Sequence, residues 1–250
     1  MRIPENFTYL VWAWIALAVI TFVYLLYRPA PYGRHTSFSW GPVISNRVGW
    51  VIMEFPVLAI VIYFLVSRWN LMGNIQFVLF GLFVFHYINR VFIYPFRIKT
   101  KGKKMPLVIA LSAVVFNTVN GNIIGYSLLA TSYSADYWLS ISFILGMLLF
   151  IAGVIINWKS DAILISLRSK NEGYTIPMGW LFNKVSCPNF FGEIIEWLGF
   201  AIACSLMGVW SFFIWTCANL IPRALSHHRW YTSHFKEYPS NRKAIIPGLL

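Results

Sequence analysis

Apolar residues along this chain are grouped in long runs instead of alternating with polar residues. Several runs are close to the ~20 residues that an α-helix needs to cross ~30 Å of hydrocarbon. They are Tyr9–Tyr27, Gly49–Val66, Leu71–Tyr94, Pro106–Ala130, Tyr137–Asn157 and a final block from Ile194 to Leu220. The pattern predicts an all-α integral membrane protein. Because the connections between the runs are short, we expect residues 1–250 to form a single membrane domain.

The composition agrees with a membrane location, since 58% of the residues are hydrophobic and only 11% are charged. The first run lies near the N-terminus, where a signal peptide is the alternative. It is as long as a full bilayer crossing, and Tyr27-Arg28-Pro29-Ala30-Pro31 follows it in place of a small-residue cleavage site. We therefore expect the first helix to be retained.

The basic residues predict the orientation of the chain in the membrane. The net charge is +12, and Lys and Arg are concentrated in the loops after the first, third and fifth runs, whereas the loop from Thr131 to Asp136 has neither. Basic loops lie on the cytoplasmic side, so the N-terminus is expected outside. The same placement accounts for the positive charge without a nucleic-acid partner.

The tail after Arg223 is also basic, so the last apolar block must cross the membrane an even number of times. We predict a helical hairpin that turns near Met207-Gly208, and a last helix that continues through Arg223 toward Tyr231. The result is seven transmembrane helices with the C-terminus in the cytoplasm. A single span from Glu196 to Pro222 is the alternative, and it would put the basic tail on the wrong side.

Several kinds of site are excluded by the absence of their motifs. The sequence has no GxGxxG after a strand and no GxxxxGK[ST], so a soluble dinucleotide-binding fold is not expected. The cysteines, Cys187, Cys204 and Cys217, have no CxxC spacing and are expected to be packing residues. The chain has five histidines, too few for a membrane di-iron enzyme with eight, and we predict no metal site.

Ionisable residues interrupt two of the apolar runs: Glu54 in the second, and His86, followed by Tyr87 and Arg90, in the third. A charged group at bilayer depth costs at least ~2.5–3.5 kcal/mol, so such residues usually face a polar cavity and mark a function. They are the first candidates for chemistry. From the residues alone, Glu54 could instead form a structural ion pair with Arg90 or Arg47, and Tyr87 could be an ordinary buried tyrosine.

A second candidate site lies in the cytoplasmic half. At helical spacing Asn157, Asp161, Leu164 and Arg168 share one face and present an amide, a carboxylate and a guanidinium. Such a face could anchor a large anionic ligand. The alternative is an amphipathic helix at the membrane interface, with its charges in water.

Segments along nearly the whole chain resemble the steroid 5α-reductase family of membrane oxidoreductases. The resemblance lies in the Asn157-x-x-x-Asp161…Arg168 element, in the segment from Asn189 to Trp197 (NFFGEIIEW), in His228-Arg229-Trp230-Tyr231, and in the tail from Tyr238 to Pro247 (YPSNRKAIIP). Upstream it includes Tyr32-Gly33-Arg34-His35, Glu54-Phe55-Pro56, His86-Tyr87-x-x-Arg90 and Asn120-Gly121.

The resemblance implies an NADPH site, mainly within residues 157–250. The positions that match the family's cofactor residues are Asn157, Asp161, Arg168, Tyr174, Asn189, Glu193, Arg223, His227, Tyr231 and Arg242. Arginines are suited to the phosphates because the guanidinium is a permanently charged, forked donor. The carboxylates and amides could bind ribose hydroxyls and the nicotinamide carboxamide.

The resemblance also implies a reaction: hydride addition to C5 of a 3-oxo-Δ4 steroid and protonation at C4, which give a 5α-reduced steroid. Tyr87 matches the donor to the carbonyl oxygen, on which negative charge develops. Glu54 matches its partner carboxylate and could itself carry a proton. The proton donor to C4 is not named by the sequence.

The substrate pocket is expected mainly from the first four spans. Met53, Phe116, Trp197 and Leu220 match positions that line the family's apolar substrate cavity. Met53 stands where steroid-handling members commonly have Gln, so other enone lipids or isoprenoids are alternative substrates.

Two other classes remain possible from the sequence. One is an isoprenylcysteine carboxyl methyltransferase-like enzyme that uses S-adenosylmethionine. The other is a transporter with Glu54 and Arg90 as its ion or substrate site. The expected partners are NADPH, a steroid or similar hydrophobic enone, and the lipid bilayer, with no nucleic acid and no obligate protein partner. A bacterial inner membrane and the endoplasmic reticulum are both compatible with the sequence.

Overall fold

The computed structural model describes residues 4–28, 40–170 and 173–250. Seven long helices make up most of this part. They are α1 (Glu5–Tyr27), α2 (Asn46–Ser67), α3 (Asn74–Arg97), α4 (Leu107–Leu129), α5 (Ile141–Lys170), α6 (Pro188–Cys204) and α7 (Met207–His234). Single 3-10 turns occur at Trp69–Leu71, Ala135–Leu139 and Trp180–Asn183. The predicted helical fold is confirmed.

The helices α1 to α5 are long and apolar enough to cross a membrane. Large apolar side chains such as Ile20, Leu148 and Ile155 are exposed on their outer faces, where hydrocarbon would surround them. These features identify an integral membrane protein. Helix α6 has 17 residues, fewer than most spans, and α7 has polar residues in its second half, so seven crossings stay a prediction.

The final apolar block is a helical hairpin, as predicted, and the alternative of a single helix through it is wrong. The turn is at Ser205, which has the left-handed backbone conformation (φ 52°), two residues before the predicted position. Gly208 is a packing contact and not part of the turn, because a Cβ there would overlap Ser127 Oγ of α4. Helix α7 continues past Arg223 to His234, as expected.

The third helix differs from its predicted bounds at both ends. It begins at Asn74, where Gln76 Oε1 accepts the Gly73 N–H at 2.8 Å, and it continues to Arg97. Its C-terminal part includes a π-helical segment, Asn89–Ile93, that contains Arg90. Such segments are frequent at functional sites, because the extra residue changes the direction of the side chains that follow.

A short antiparallel ribbon was not predicted from the sequence. Strand β1 (Val43–Ser45) pairs with β2 (Lys104–Pro106), so that Ile44 lies opposite Met105. The ribbon joins the chain just before α2 to the chain just before α4. It therefore holds the ends of these two helices together.

Helices α5 and α6 approach closely because glycines recur every seven residues on the faces that meet, Gly146 and Gly153 on one and Gly192 and Gly199 on the other. A Cβ at Gly153 would overlap the backbone nitrogen of Glu196. Small residues permit this backbone approach between membrane helices. The contact brings the polar ends of the two helices together.

The C-terminal tail packs against the segment that precedes α6. Val185 and Lys243 form a parallel bridge, and the Ser186 and Cys187 N–H groups donate to the Lys243 and Ala244 carbonyls at 2.8 and 3.1 Å. The tail thereby positions the N-terminal end of α6, where several of the predicted site residues lie.

Candidate active site

One cavity of about 1160 Å³ extends among the helices and the loops that follow α3 and α5. It is larger than the ~300–1,000 Å³ of most small-molecule sites, and its size suits two ligands side by side. Most predicted site residues line it: Met53, Glu54, Tyr87, Phe116, Arg168, Tyr174, Asn189, Glu193, Trp197, Leu220, Arg223, His227 and Tyr231. Asn157, Asp161 and Arg242 do not.

Glu54 lies beside Arg90 in this cavity, with 3.9 Å between Oε1 and Nη2. The Arg90 guanidinium is held over the rings of Trp50 and Tyr94, at 4.8 and 4.9 Å from their centroids. Arg90 and Glu193 both line the cavity. Arg90 is therefore the charged neighbour of the Glu54 carboxylate in the cavity wall.

Tyr87 is 5% exposed, and its ring packs against Phe83 and Trp197, with centroids 4.7 and 6.1 Å away. The residue precedes the π-helical segment of α3 and lines the same cavity as Glu54. A tyrosine held by aromatic neighbours presents its hydroxyl in a fixed direction, which is what a donor to a substrate carbonyl requires. The alternative partner for Glu54, Arg47, instead donates to the Pro95 carbonyl at 3.1 Å.

A second buried pair lies directly behind this site. His86 Nδ1 and Glu196 Oε1 are 2.7 Å apart, and their side chains are 4% and 0% exposed. Each residue precedes a residue of the cavity wall, Tyr87 on α3 and Trp197 on α6. The sequence shows both ionisable residues in apolar surroundings, but their pairing is visible only in the fold.

Asn157 and Asp161 lie behind the wall and hold two residues that are part of it. Asn157 Nδ2 donates to the Asn189 carbonyl at 3.0 Å and to Glu193 Oε2 at 3.4 Å. Asn189 Nδ2 in turn donates to Asp161 Oδ1 at 3.1 Å. The predicted shared face of α5 is confirmed, because Leu164 and Arg168 line the cavity further along it.

Arg242 also lies behind the wall, and the resemblance had assigned it directly to the cofactor. It is 2% exposed, donates through Nη1 to the Pro177 carbonyl at 3.1 Å, and stacks 4.9 Å from the Tyr238 ring centroid. Pro177 itself lines the cavity. Arg242 therefore supports the cavity wall through its hydrogen bond to Pro177 and does not itself line the cavity.

Comparison with known proteins agrees with the resemblance. The profile of the family described as 3-oxo-5-alpha-steroid 4-dehydrogenase matches residues 103–250. Steroid 5-alpha-reductase DET2 of Solanum lycopersicum is 39% identical over 251 residues, which cover 98% of each chain. The 3-oxo-5-alpha-steroid 4-dehydrogenase 1 of Bos taurus is 36% identical over all of both chains, and enzyme 2 of Homo sapiens is 39% identical over 88% of each.

The chain belongs to the 3-oxo-5-alpha-steroid 4-dehydrogenase family. Members are oxidoreductases, so the methyltransferase and transporter interpretations lose their support. Of the segments that carried the resemblance, Tyr32-Gly33-Arg34-His35 lies outside the described residues.

Several basic residues of this family member line the cavity, although their positions in the sequence predicted only the membrane topology. Arg28, Lys99 and Lys103 belong to its wall, and Lys103 Nζ donates to the Tyr174 hydroxyl at 2.9 Å. Together with Arg168 and Arg223 they make this part of the cavity wall strongly cationic. The clustering of Lys99 and Lys103 in the short loop after the third apolar run was the signal that could have identified these two lysines, whereas Arg28 follows the first run.

The apolar half of the cavity contains polar groups that the sequence did not identify. Asn117, which is 5% exposed, donates through Nδ2 to the Met53 backbone carbonyl at 2.6 Å and lines the cavity. Trp215 and Asn219 of α7 line it as well. Asn117 interrupts an apolar run and could have been noticed for that reason, whereas tryptophan is unremarkable in a membrane helix.

Proposed function

We propose that the protein is an NADPH-dependent reductase of the Δ4 double bond of 3-oxo-Δ4 steroids, which adds hydride at C5 and a proton at C4. The observation that carries the proposal is that one cavity among the described residues is lined both by Glu54 and Tyr87 and by arginines such as Arg168 and Arg223. The relatives named as steroid 5-alpha-reductases support the same reaction.

The cytoplasmic half suits the chemistry of NADPH. Arg168 and Arg223 would hold phosphates as forked donors, and Arg223 is kept in place over the Phe190 ring at 5.2 Å. Asn189 and Glu193, positioned by Asn157 and Asp161, would bind hydroxyl and amide groups, and Tyr174, His227 and Tyr231 complete the wall. When bound there, the nicotinamide supplies the hydride.

The apolar half suits the developing charge of the substrate. The Tyr87 hydroxyl would donate to the C3 carbonyl oxygen and stabilise the negative charge that grows there as C5 is attacked. When protonated, Glu54 would donate to the same carbonyl oxygen, and Arg90 limits the cost of placing this carboxyl in the membrane. The aromatic walls of Phe116 and Trp197 match the flat faces of a polycyclic ligand.

The side chain of Met53 provides no hydrogen bond to a substrate. It is 8% exposed and packs with Met105 and Ala110, while its backbone carbonyl accepts from Asn117. Recognition of the enone at this end would therefore depend on Tyr87 and Glu54. Other hydrophobic enones that reach this pair are second candidates as substrates.

The test is NADPH consumption by the purified protein with testosterone or progesterone, with product identification by mass spectrometry. We expect a product two mass units heavier and saturated at the Δ4 bond. The matched control is the Tyr87→Phe variant, which keeps the ring and lacks the hydroxyl, and it should bind NADPH but turn over slowly. NADPH binding without reduction of any 3-oxo-Δ4 steroid would contradict the proposed substrate class, and absence of NADPH binding would contradict the cofactor.

A further inference from the structure

Two large apolar side chains, Met178 and Trp180, are exposed on the segment that connects α5 to α6. They are 59% and 40% exposed, and this segment is not among the helices that are long and apolar enough to cross a membrane. Phe182 and Val185, which follow, are fully buried, so the segment is packed against the helices. Single exposed apolar residues are common, and what these two contact depends on the surface that they extend.

The backbone and two hydrogen bonds fix this part of the segment. Gly179 and Trp180 both have positive φ, 83° and 50°, and the Gly179 N–H donates to Asn183 Oδ1 at 2.8 Å. The Met178 sulfur accepts from Arg242 Nη2 at 3.1 Å, while most of the side chain stays exposed. A bulky residue such as tryptophan rarely adopts positive φ, so this turn is a defined feature of the fold.

Lys159 of α5 shows where Trp180 lies relative to the bilayer. Its Nζ is 3.6 Å from the centroid of the Trp180 ring, a cation–π contact. Between Ile141, where the helix begins, and Lys159 the axis rises about 27 Å at ~1.5 Å per residue, close to the ~30 Å thickness of the hydrocarbon. Lys159 also follows Asn157, which ends the apolar run. The contact therefore lies where α5 would leave the hydrocarbon.

Lys159 is on the face of α5 that would meet lipid. Leu148, Ile151 and Ile155 are 62%, 49% and 55% exposed, and at helical spacing they share one face with Lys159, which is exposed as well. Ile155 is one turn before Lys159. Trp180 does not line the large cavity, and through its contact with Lys159 it continues this lipid-facing stripe at its end.

We propose that residues 178–183 dock on the phospholipid interface, with the side chains of Met178 and Trp180 inserted among the headgroups. Tryptophan is enriched at this level of a bilayer, because its ring is apolar and its N–H is polar. Lysine places its stem along apolar surface and its charge in the polar layer. Lys159 and the exposed Lys184, at the end of the 3-10 turn, supply positive charge that complements the phosphates of the headgroups.

The docked segment is the outer side of the cavity wall. Pro177, directly before Met178, lines the cavity, and Arg242 donates hydrogen bonds to both residues. Tyr174 and Thr175 of the same segment line the cavity as well. The lipid surface would thus support this wall from outside the protein. This inference goes beyond the proposed reaction and does not depend on which ligand the cavity holds.

The test is the depth of a spin label at position 180, in the full chain reconstituted into nanodiscs of phosphatidylcholine and phosphatidylglycerol. Trp180→Cys is labelled with a nitroxide in a background without native cysteines, and its collision rates with O₂ and with a water-soluble nickel chelate are compared. Oxygen is concentrated in the bilayer and the chelate in water. We expect the ratio of the two rates to lie between that of Ile155→Cys, on the lipid-facing stripe, and that of Ser240→Cys, exposed on the C-terminal tail.

Met178→Cys, labelled in the same way, repeats the measurement in a chain that keeps Trp180 and its contact with Lys159, and it should give a similar ratio. Labels at both positions that are as accessible to the nickel chelate as the Ser240→Cys label would overturn the proposal. Labels shielded from both reagents, with dipolar broadening between labelled chains, would overturn it as well, because a second copy of the chain would then cover the segment.

Discussion

Two pairs of ionisable residues lie among the described helices, and the pairing decides what each of these residues can do. Glu54 with Arg90 lines the cavity, whereas His86 with Glu196 lies behind the wall with almost no exposure. The first pair lies where we propose that the substrate binds. The second joins α3 to α6 next to Tyr87 and Trp197, and its role is to hold the wall.

Replacement of Tyr87 by Phe should reduce kcat by about 10²–10³, the usual effect of removing one donor to a developing oxyanion. NADPH affinity should change little, because the hydroxyl lies in the apolar half of the cavity. Steady-state kinetics and NADPH binding, measured on the same preparation, check both parts. Normal turnover by this variant would remove Tyr87 from the mechanism, and the same test with Glu54→Gln applies to the carboxylate.

Replacement of Arg168 by Ala should weaken NADPH binding about 10–100-fold, because it removes charge-assisted hydrogen bonds to a phosphate. Arg168→Lys should recover only part of the loss, since lysine keeps the charge without the forked geometry. Arg97→Ala is the control, because Arg97 is exposed and outside the cavity wall. An unchanged dissociation constant for Arg168→Ala would contradict the phosphate role.

Replacement of Glu196 by Leu should lower the free energy of unfolding by about 3–5 kcal/mol, as expected when one partner of a buried pair is removed. The double variant His86→Leu/Glu196→Leu should lose less, because neither polar group is then left without a partner. Thermal unfolding in detergent, compared across the single and double variants, measures the difference. Additive losses would show that the two side chains do not depend on each other.

At the scale of elements, the contact between α5 and α6 positions residues of the cavity wall. Glycines at seven-residue intervals let the backbones touch, and this places Asn157 against Asn189 and Glu193. The C-terminal tail supports the same end of α6 through its hydrogen bonds to residues 184–187. The wall that we propose for the cofactor is therefore formed by the contact between these helices as well as by its own residues.

Gly153→Leu should separate α5 from α6 and reduce both thermal stability and NADPH affinity, because a side chain there would overlap the backbone of Glu196. Gly81→Leu is the matched control, since a Cβ at Gly81 meets nothing within 4 Å. Melting temperature and NADPH binding are measured on both variants. If Gly153→Leu behaved like the control, the close helix contact would not be what positions Asn189 and Glu193.

At the scale of the whole molecule, the apolar outer faces and the basic loops predict seven crossings with the N-terminus outside and the C-terminus in the cytoplasm. Cysteine substitutions at Ser134 and Lys101, both exposed, lie on loops predicted for opposite sides. An impermeant thiol reagent applied from outside should label Ser134→Cys and not Lys101→Cys, in a background without native cysteines. Labelling of both or neither would contradict the predicted orientation.

Much of this protein was predictable from local patterns, because membrane helices are recognisable in a sequence by the length and hydrophobicity of their apolar runs. The helical fold, including the first helix, and the hairpin at the end of the apolar block followed from that pattern and the position of the charges. The family followed from motifs in a fixed order. The hairpin turn was placed two residues late, since Gly208 resembles a turn residue but is used for packing against Ser127.

What the sequence determined by itself is therefore the class of protein, its helices and a set of site residues, most of which line the cavity. Only the tertiary structure decided which polar residues line the wall and which stand behind it, as for Arg242 and Asn157, and that His86 meets Glu196 across 110 residues of chain. The physical reason is that hydrophobic periodicity is a local property, whereas hydrogen-bond partners are set by how separate helices pack.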